Sequence, residues 1–256
     1  MSRTRVSRCY VRVILAIVCA LFLALVGAAG AQAETRYVQS GQFPSSFGFP
    51  LGGLAVEQST GDVYVADSAG NEVQKFDAAG VFILSFGGGV DQTSGANVCT
   101  AASGHVCQPG TAGAGNGQFG GSGSGPMSVA VDQASGDVYV TDVVNNRVEK
   151  FASSGGYLSQ FNGSGTPAAG FSSPNAIAVD PTSGAVYVVD AGNGVVDRFD
   201  SSGTYQCQIT GQATLSPSEC NGVVGSATPA GSFSFPSGGF SAPAGLAVDS
   251  TGRLYV

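Results

Sequence analysis

The chain of 256 residues has no tryptophan, a single histidine (His105) and few charges. Charged residues make up 11% of it, against roughly 25% in ordinary soluble domains. One histidine cannot build a metal centre or proton relay that needs several. Basic residues are scarcer still. Four of the ten (Arg3, Arg5, Arg8 and Arg12) fall in the first 33 positions, leaving six against 17 acidic residues, a net charge of −11 over the rest. A surface of that sign repels phosphate backbones, which excludes nucleic acid as a partner. There is no C-x-x-C pair of the kind zinc sites use and no D-x-[DN]-x-[DN]-G calcium loop. The many Gly-x-Gly strings do not stand between a strand and a helix, so they are not phosphate cradles. What the chain has in quantity is glycine, at 40 positions, and an apolar share of 43%, too high for a disordered polymer.

The first 33 residues read as an address. Met1–Arg12 is basic, Val13–Val26 is apolar without a charge, and Ala31-Gln32-Ala33 places small residues where a signal peptidase reads. Residues 1–33 are therefore expected to be a signal peptide cleaved before Glu34. The run is short for a span of about 20 residues, so no membrane span is expected after cleavage, and the protein is expected to be secreted or held at the cell surface. Cys9 and Cys19 leave with the peptide. Cys99, Cys107, Cys207 and Cys220 remain, an even number in an oxidising compartment. Of the three pairings that four cysteines allow, Cys99–Cys107 with Cys207–Cys220 is favoured, because each then closes one local loop.

Self-similarity organises the rest of the chain. Gly53-Leu54-Ala55-Val56-Glu57 recurs as Ser128-Val129-Ala130-Val131-Asp132, as Ala176-Ile177-Ala178-Val179-Asp180 and as Gly245-Leu246-Ala247-Val248-Asp249. After a Gly-containing turn comes a second apolar run, centred on Tyr64, Tyr139, Tyr187 and Tyr255. A third run ends in Phe76, Phe151 and Phe199, and a fourth follows the turns at Gly80, Gly155 and Gly203. Val, Ile, Tyr and Phe fill these runs, as pleated surfaces favour. The second run is apolar at consecutive positions, which suits a strand covered on both faces. Such a four-stranded meander must be stacked between like neighbours, and radial stacking gives a β-propeller. The expected fold is all-β: four-stranded antiparallel blades at about 50–119, 120–172 and 173–240, and an incomplete fourth at 241–256. Residues 34–49 are read as an N-terminal strand and linker. Two Gly/Ser/Thr-rich inserts, 87–119 and 211–239, show no strand periodicity and are expected to be long loops lying outside the blades.

The pattern Pro-x-Gly-Leu-Ala-Val-Asp, Gly-Asp-Val-Tyr-Val-x-Asp, Asn-x-Val-x-Lys-Phe and Gly resembles the NHL repeat. Pro243–Asp249, Gly136–Asp142 and Asn146–Gly155 carry it best. The resemblance covers about residues 50–256. It implies six-bladed propellers as a rule, so the chain is expected to hold three blades and part of a fourth of a larger ring. Arg36–Gln39 is then the candidate outer strand of a closing blade. The segment Cys99-Thr100-Ala101-Ala102-Ser103-Gly104-His105-Val106-Cys107 is similar to segments of exported NHL proteins of high-GC soil bacteria. Family members with a histidine-held zinc, a basic RNA-binding face or an attached RING domain need residues that this sequence lacks.

Asp67, Asp142 and Asp190 open equivalent turns, with Asn71, Asn146 and Asn193 in the same turns. They could supply a ring of oxygen ligands for Ca²⁺. Their recurrence in every unit favours the plainer role of bonding their own backbone to set the turn. Glu57, Asp132, Asp180 and Asp249 close the first strands in the same repetitive way. Lys75, Lys150 and Arg198 share one place on the third strand and are expected to form a solvated stripe. No cofactor, resident metal or catalytic residue is identified. The expected function is that of a non-catalytic scaffold that binds a protein or carbohydrate outside the cell. Its binding face carries the inserts, His105 and the Asp/Asn turns. The alternative is a lactonase- or lyase-like propeller enzyme with a carboxylate-held metal in the central channel.

Overall fold

A computed structural model describes residues 51–121, 125–209, 220 and 243–256. Residues 1–33, read above as a signal peptide, the 34–49 segment with its candidate closing strand, and nearly all of the 211–239 insert lie outside the described residues.

Three antiparallel meanders run in chain order. The first comprises β1 (Leu51–Glu57), β2 (Asp62–Asp67), β3 (Glu72–Phe76), β4 (Phe82–Gly87) and β5 (Val98–Thr100). The second is β6 (Pro126–Val131), β7 (Val138–Asp142), β8 (Arg147–Phe151) and β9 (Tyr157–Phe161). The third is β10 (Pro174–Val179), β11 (Val186–Asp190), β12 (Val195–Phe199) and β13 (Tyr205–Ile209). A two-stranded pair comes last, β14 (Ala247–Val248) and β15 (Leu254–Tyr255). Contacts between sheets concentrate on the first strands: β1 lies against β6, β6 against β10 and β10 against β14. The sheets therefore fan out from their first strands as blades do.

The turns repeat as strictly as the strands. Between the third and fourth strands, Gly80, Gly155 and Gly203 adopt φ of 83°, 83° and 88° and donate to the carbonyls of Asp77, Ala152 and Asp200. A side chain is strained there, so the repeat keeps glycine.

Apolar side chains from one blade meet those of the next. Tyr64, Ala66, Val73, Leu84 and Phe86 of blade 1 pack on Val129, Val131, Val138, Val140 and Phe151 of blade 2. Ala130, Tyr139 and Val148 then pack on Ile177, Val186, Val188 and Phe199 of blade 3. Ala176, Tyr187, Val189 and Val196 pack on Leu246, Val248 and Leu254. This explains the consecutive apolar residues of the second strands: both faces of the sheet are interfaces. The first two interfaces each carry an aromatic set. Phe86, Phe119 and Phe151 have centroids 4.6–6.5 Å apart, and Phe161, Phe171 and Phe199 repeat it at 4.8–6.0 Å.

The 87–119 insert departs from the expected loose loop. Val98–Thr100 pairs with β4 as a fifth strand, Asp91 bridges Cys107, and Val90 and Phe119 are wholly buried. Short strands without alternation carry no periodic signal, and Phe119 belongs to the core of the next interface. The disulfides pair as expected, Cys99–Cys107 and Cys207–Cys220. They do not lie outside the sheets: Cys99 is in β5 and Cys207 in β13.

Candidate functional site

Turns after the second strands and the crossings between blades share one end of the sheets. Blade 1's insert returns to that end. Gly110 N donates to the Gly70 carbonyl (2.6 Å), and Asn71 Nδ2 reaches the Gly110 carbonyl (3.4 Å). The insert and the Asp/Asn turns therefore form one surface.

Within that surface the aspartates point inward. Asp67 is 2% exposed, and Asp142 and Asp190 are fully buried. Asp67 Oδ1 accepts from Gly70 N (2.8 Å). Asp142 Oδ1 accepts from Gly120 N (3.2 Å), and Asp190 Oδ1 from Ser172 N (2.8 Å). These three serve the turns and the blade crossings and do not face solvent. The asparagines occupy two registers. Asn71 and Asn146 have φ of 48° and 51°, and their equivalent in blade 3 is Gly194, at 69°. Asn193 stands one place earlier, with Asn145. Both donate Nδ2 to the turn aspartate at 2.7 Å, Asn145 to Asp142 and Asn193 to Asp190. The end-of-strand carboxylates also serve turns: Asp132 accepts from Ala134 N, Asp180 from Thr182 N and Asp249 from Thr251 N.

The basic stripe is not solvated as expected. Lys75 is 7% exposed. Its ammonium lies 4.9 Å from the Tyr64 ring centre and pairs with Glu57 (3.2 Å) and Asp62 (3.0 Å). Burial works against its charge, but hydrogen bonds to Tyr64 and Asp62 hold its pKa above the usual lysine range. Lys150 lies 5.2 Å from the centre of Tyr139, and Arg198 lies 6.0 Å from that of Tyr187. Cross-strand register places each cation opposite its tyrosine, a cation–π arrangement repeated in three blades.

His105 is not alone either. Its Nδ1 lies 2.6 Å from Asp91 Oδ2, and that carboxylate also accepts from the backbone N–H groups of Thr93 and Ser94. The hydrogen bond from His105 holds Asp91 well below the usual carboxylate range. The pair sits beside the Cys99–Cys107 bridge and ties one side of the insert to the other.

The main functional residue that sequence reasoning missed is Arg147, at the start of β8. It is 5% exposed. Nε donates to Asp142 Oδ2 (3.1 Å). Nη1 donates to the Ala114 carbonyl (2.7 Å) and Gln160 Oε1 (2.9 Å). Nη2 donates to the carbonyls of Gly115 (3.0 Å) and Gln118 (2.6 Å) and to Glu149 Oε1 (2.7 Å). Every guanidinium donor is used, so Arg147 clamps the end of the insert onto blade 2 and is not free to take an anion. Glu149 is fully buried; burial pushes its carboxyl up to about 7 against the pull of Gly117 N and Arg147. Beside the clamp opens a cleft of about 390 Å³ lined by Ala114, Asn145, Arg147, Gln160, Phe161 and Asn162. Its polar lining is amide and guanidinium, with no carboxylate.

Among the described residues, no three His, Cys, Asp or Glu side chains come together as a set that could hold a metal. No helix among them is long and apolar enough to cross a membrane.

Residues 124–151, the first three strands of blade 2, match the family model of the NHL repeat. A comparison with curated proteins finds no match. Among solved structures the chain is similar to one in a crystal structure of a nidogen/laminin complex, with a TM-score of 0.44 and 16% identity over 78% of this chain and 53% of that one. It is similar to the RRP9 WD40 repeats, with a TM-score of 0.41 and 12% identity over 62% of this chain and 38% of that one. Hydrazine synthase of Kuenenia stuttgartiensis gives 0.44 and 12% over 85% and 44%. The chain spans about half or less of the length of each. Residues 124–151 thus carry an NHL repeat, and the same strands, turns and cation–π pairs recur in the blades on either side, so the described residues are built of β-propeller blades.

Proposed function

We propose that the protein is an exported, non-catalytic NHL scaffold whose insert-bearing face receives a protein or carbohydrate partner outside the cell. The observation that carries this reading is the fixation of the 87–119 insert. A loop that served only as tolerated excess would need no anchoring. This one has a strand of its own, a disulfide, the Asp91–His105 pair and the Arg147 clamp. Binding surfaces are commonly loops held on a rigid scaffold. Two disulfides suit an oxidising compartment, and the basic-then-apolar start supplies the address. The amide-lined cleft beside the clamp fits a neutral, hydroxyl-rich or peptide ligand better than an anion, because the guanidinium there is already saturated.

Two measurements test this. N-terminal sequencing of protein recovered from the medium should begin at Glu34; recovery with Met1 intact would refute the export reading. For the face, Val106 and Val144 are exposed on the insert side, and Val81 is exposed at the opposite end. Immobilised protein is exposed to purified cell-wall polysaccharide and to native culture-medium proteins. Val106→Asp with Val144→Asp should abolish capture, and Val81→Asp should leave it intact. Equal loss, or equal retention, removes the face assignment.

A further inference from the structure

Blades 2 and 3 build the same polar site with one difference. In both, the turn aspartate takes a backbone N–H from the incoming crossing through Oδ1, Gly120 to Asp142 and Ser172 to Asp190. In both it takes an asparagine amide through Oδ2, Asn145 or Asn193. Both carry a second buried carboxylate one register further along the third strand, Glu149 facing Val140 and Asp197 facing Val188. The crossings correspond as well. Gly117 faces the Cβ of Tyr157, and Gly165 faces the Cβ of Tyr205, so Thr166 stands where Gln118 stands. In blade 2 a cation joins these parts: Arg147 bonds Asp142, Glu149 and the Gln118 carbonyl. In blade 3 the residue in the place of Arg147 is Val195, and no side-chain cation among the described residues takes its place.

The parts left over in blade 3 are those a cation would satisfy. Asp190 and Asp197 are both fully buried. Asp197 Oδ2 has no hydrogen-bond partner among the described residues, and neither has the buried Thr166 Oγ1. The amide of Gln208 lies 3.4 Å from the other Asp197 oxygen. Burying an unpaired carboxylate is costly, and two side by side are worse. The groups left to a cation are all oxygens, two carboxylates and a hydroxyl, with the Gln208 amide nitrogen donating to Asp197 Oδ1. Oxygen-only sets select hard cations, calcium before zinc or copper.

We propose that Asp190, Asp197 and Thr166 together bind a calcium ion, which does in blade 3 what the guanidinium of Arg147 does in blade 2. The ion joins the crossing from blade 2 to the third strand of blade 3 and so locks that interface. With few protein ligands, affinity falls in the weak range of extracellular modules, about 10⁻⁴–10⁻³ M.

The test is calcium binding to the full chain, stripped with chelator and titrated by calorimetry, with thermal melting alongside. Wild type should bind one ion and melt several degrees higher with calcium than without. Asp197→Asn keeps the shape and removes a charge; it should weaken binding at least tenfold and lose the calcium-dependent shift. Val195→Arg supplies the missing guanidinium; it should abolish calcium binding and melt at or above the calcium-loaded wild type. If Val195→Arg does not fold by circular dichroism, Thr166→Val, which changes no charge, should still fold and weaken binding several-fold. No calcium binding by wild type, or binding unchanged in both Asp197→Asn and Thr166→Val, overturns the proposal. A melting temperature that responds to pH and not to calcium also overturns it, because the carboxylates are then sharing a proton.

Discussion

One position of the third strand carries three different kinds of side chain in equivalent blades: Glu72 in blade 1, Arg147 in blade 2 and Val195 in blade 3. The apolar neighbours barely change, since Val73, Val148 and Val196 are all fully buried beside it. The polar consequences differ completely. Arg147 neutralises two buried carboxylates and holds the insert down. Glu72 is buried without a paired cation among the described residues and accepts from Gln74 Nε2 at 2.8 Å. Val195 leaves Asp190 and Asp197 without a side-chain counter-charge among the described residues. A repeat therefore fixes the apolar frame by uniformity and assigns individual tasks at the few places where it is not uniform.

Breaking the clamp should have the largest effect. Arg147→Ala strands Asp142 and Glu149 without a cation and frees three insert carbonyls. Removing one partner of a buried ion pair costs about 3–5 kcal/mol, to be read from urea unfolding. Arg147→Lys should recover only part of this, because an ammonium cannot reach six acceptors in the guanidinium plane. The matched control is Arg198→Ala in blade 3, where the contact with the Tyr187 ring and the charge near Asp180 are lost, together about 1 kcal/mol. Equal losses at the two sites would mean that the clamp is no more than another surface pair.

Next come the disulfides. The Cys99–Cys107 and Cys207–Cys220 bridges close loops of 8 and 13 residues, so each contributes about 2–3 kcal/mol by restricting the unfolded chain. Their local effects should differ. Replacing Cys99 and Cys107 by serine loosens β5 and the strand edge of blade 1, so amide exchange should rise over Val98–Thr100 and not in β8. Replacing Cys207 and Cys220 acts on β13, where Cys220 N donates to the Gln208 carbonyl, and exchange should rise at the edge of blade 3. Exchange confined to the loops in both variants would restore the view that the bridges lie outside the sheets.

Much of the frame was legible in the residues alone. The strand runs, the Gly turns and the local cysteine pairing all follow from short-range chemistry, which repetition amplifies. The clamp was not legible, because Arg147 acts on carbonyls about thirty residues earlier in the chain, and carbonyls carry no side-chain signal. The cation–π pairs could have been read: each tyrosine precedes its cation by eleven residues in all three units, at Tyr64 and Lys75, Tyr139 and Lys150, Tyr187 and Arg198. Phe119 offered a signal too. It stands ahead of Pro126, and Phe171 ahead of Pro174, each just before the residue whose N–H bonds the turn aspartate. Assigning it to a loop hid that it belongs to a core.

A smaller effect in blade 1 is read through pH. Burial raises the Glu72 carboxyl from its ordinary 4.5 to about 7. The folded state therefore holds its proton where the unfolded chain has lost it. Stability from this group is complete below about pH 4.5 and is lost as pH rises towards 7, by at most about 1.4 kcal/mol per unit. Glu72→Gln removes the charge and keeps an amide beside Gln74. It should lessen the fall in stability between pH 4.5 and 7, to which Glu149 and Asp197 also contribute, and leave the variant more stable than wild type at pH 8. An unchanged slope would show that Glu72 is ionised and paired in solution.

The smallest effect concerns the turn register shared by Asn71, Asn146 and Gly194. All three are left-handed, at φ of 48°, 51° and 69°, a region that asparagine tolerates and glycine enters freely. Gly194→Asn should therefore change stability by less than about 0.5 kcal/mol, since blades 1 and 2 already use that residue there. Gly194→Val forces a β-branched side chain into the same conformation and should cost about 1–3 kcal/mol, the range for held backbone strain. Asn146→Gly keeps the conformation but removes the bond from Ser173 N to Asn146 Oδ1, 2.8 Å long in wild type. It should cost about 1 kcal/mol, slightly loosening the crossing from blade 2 to blade 3. If Gly194→Asn instead costs as much as Gly194→Val, the three turns do not share one backbone and the register equivalence of the blades fails at that point.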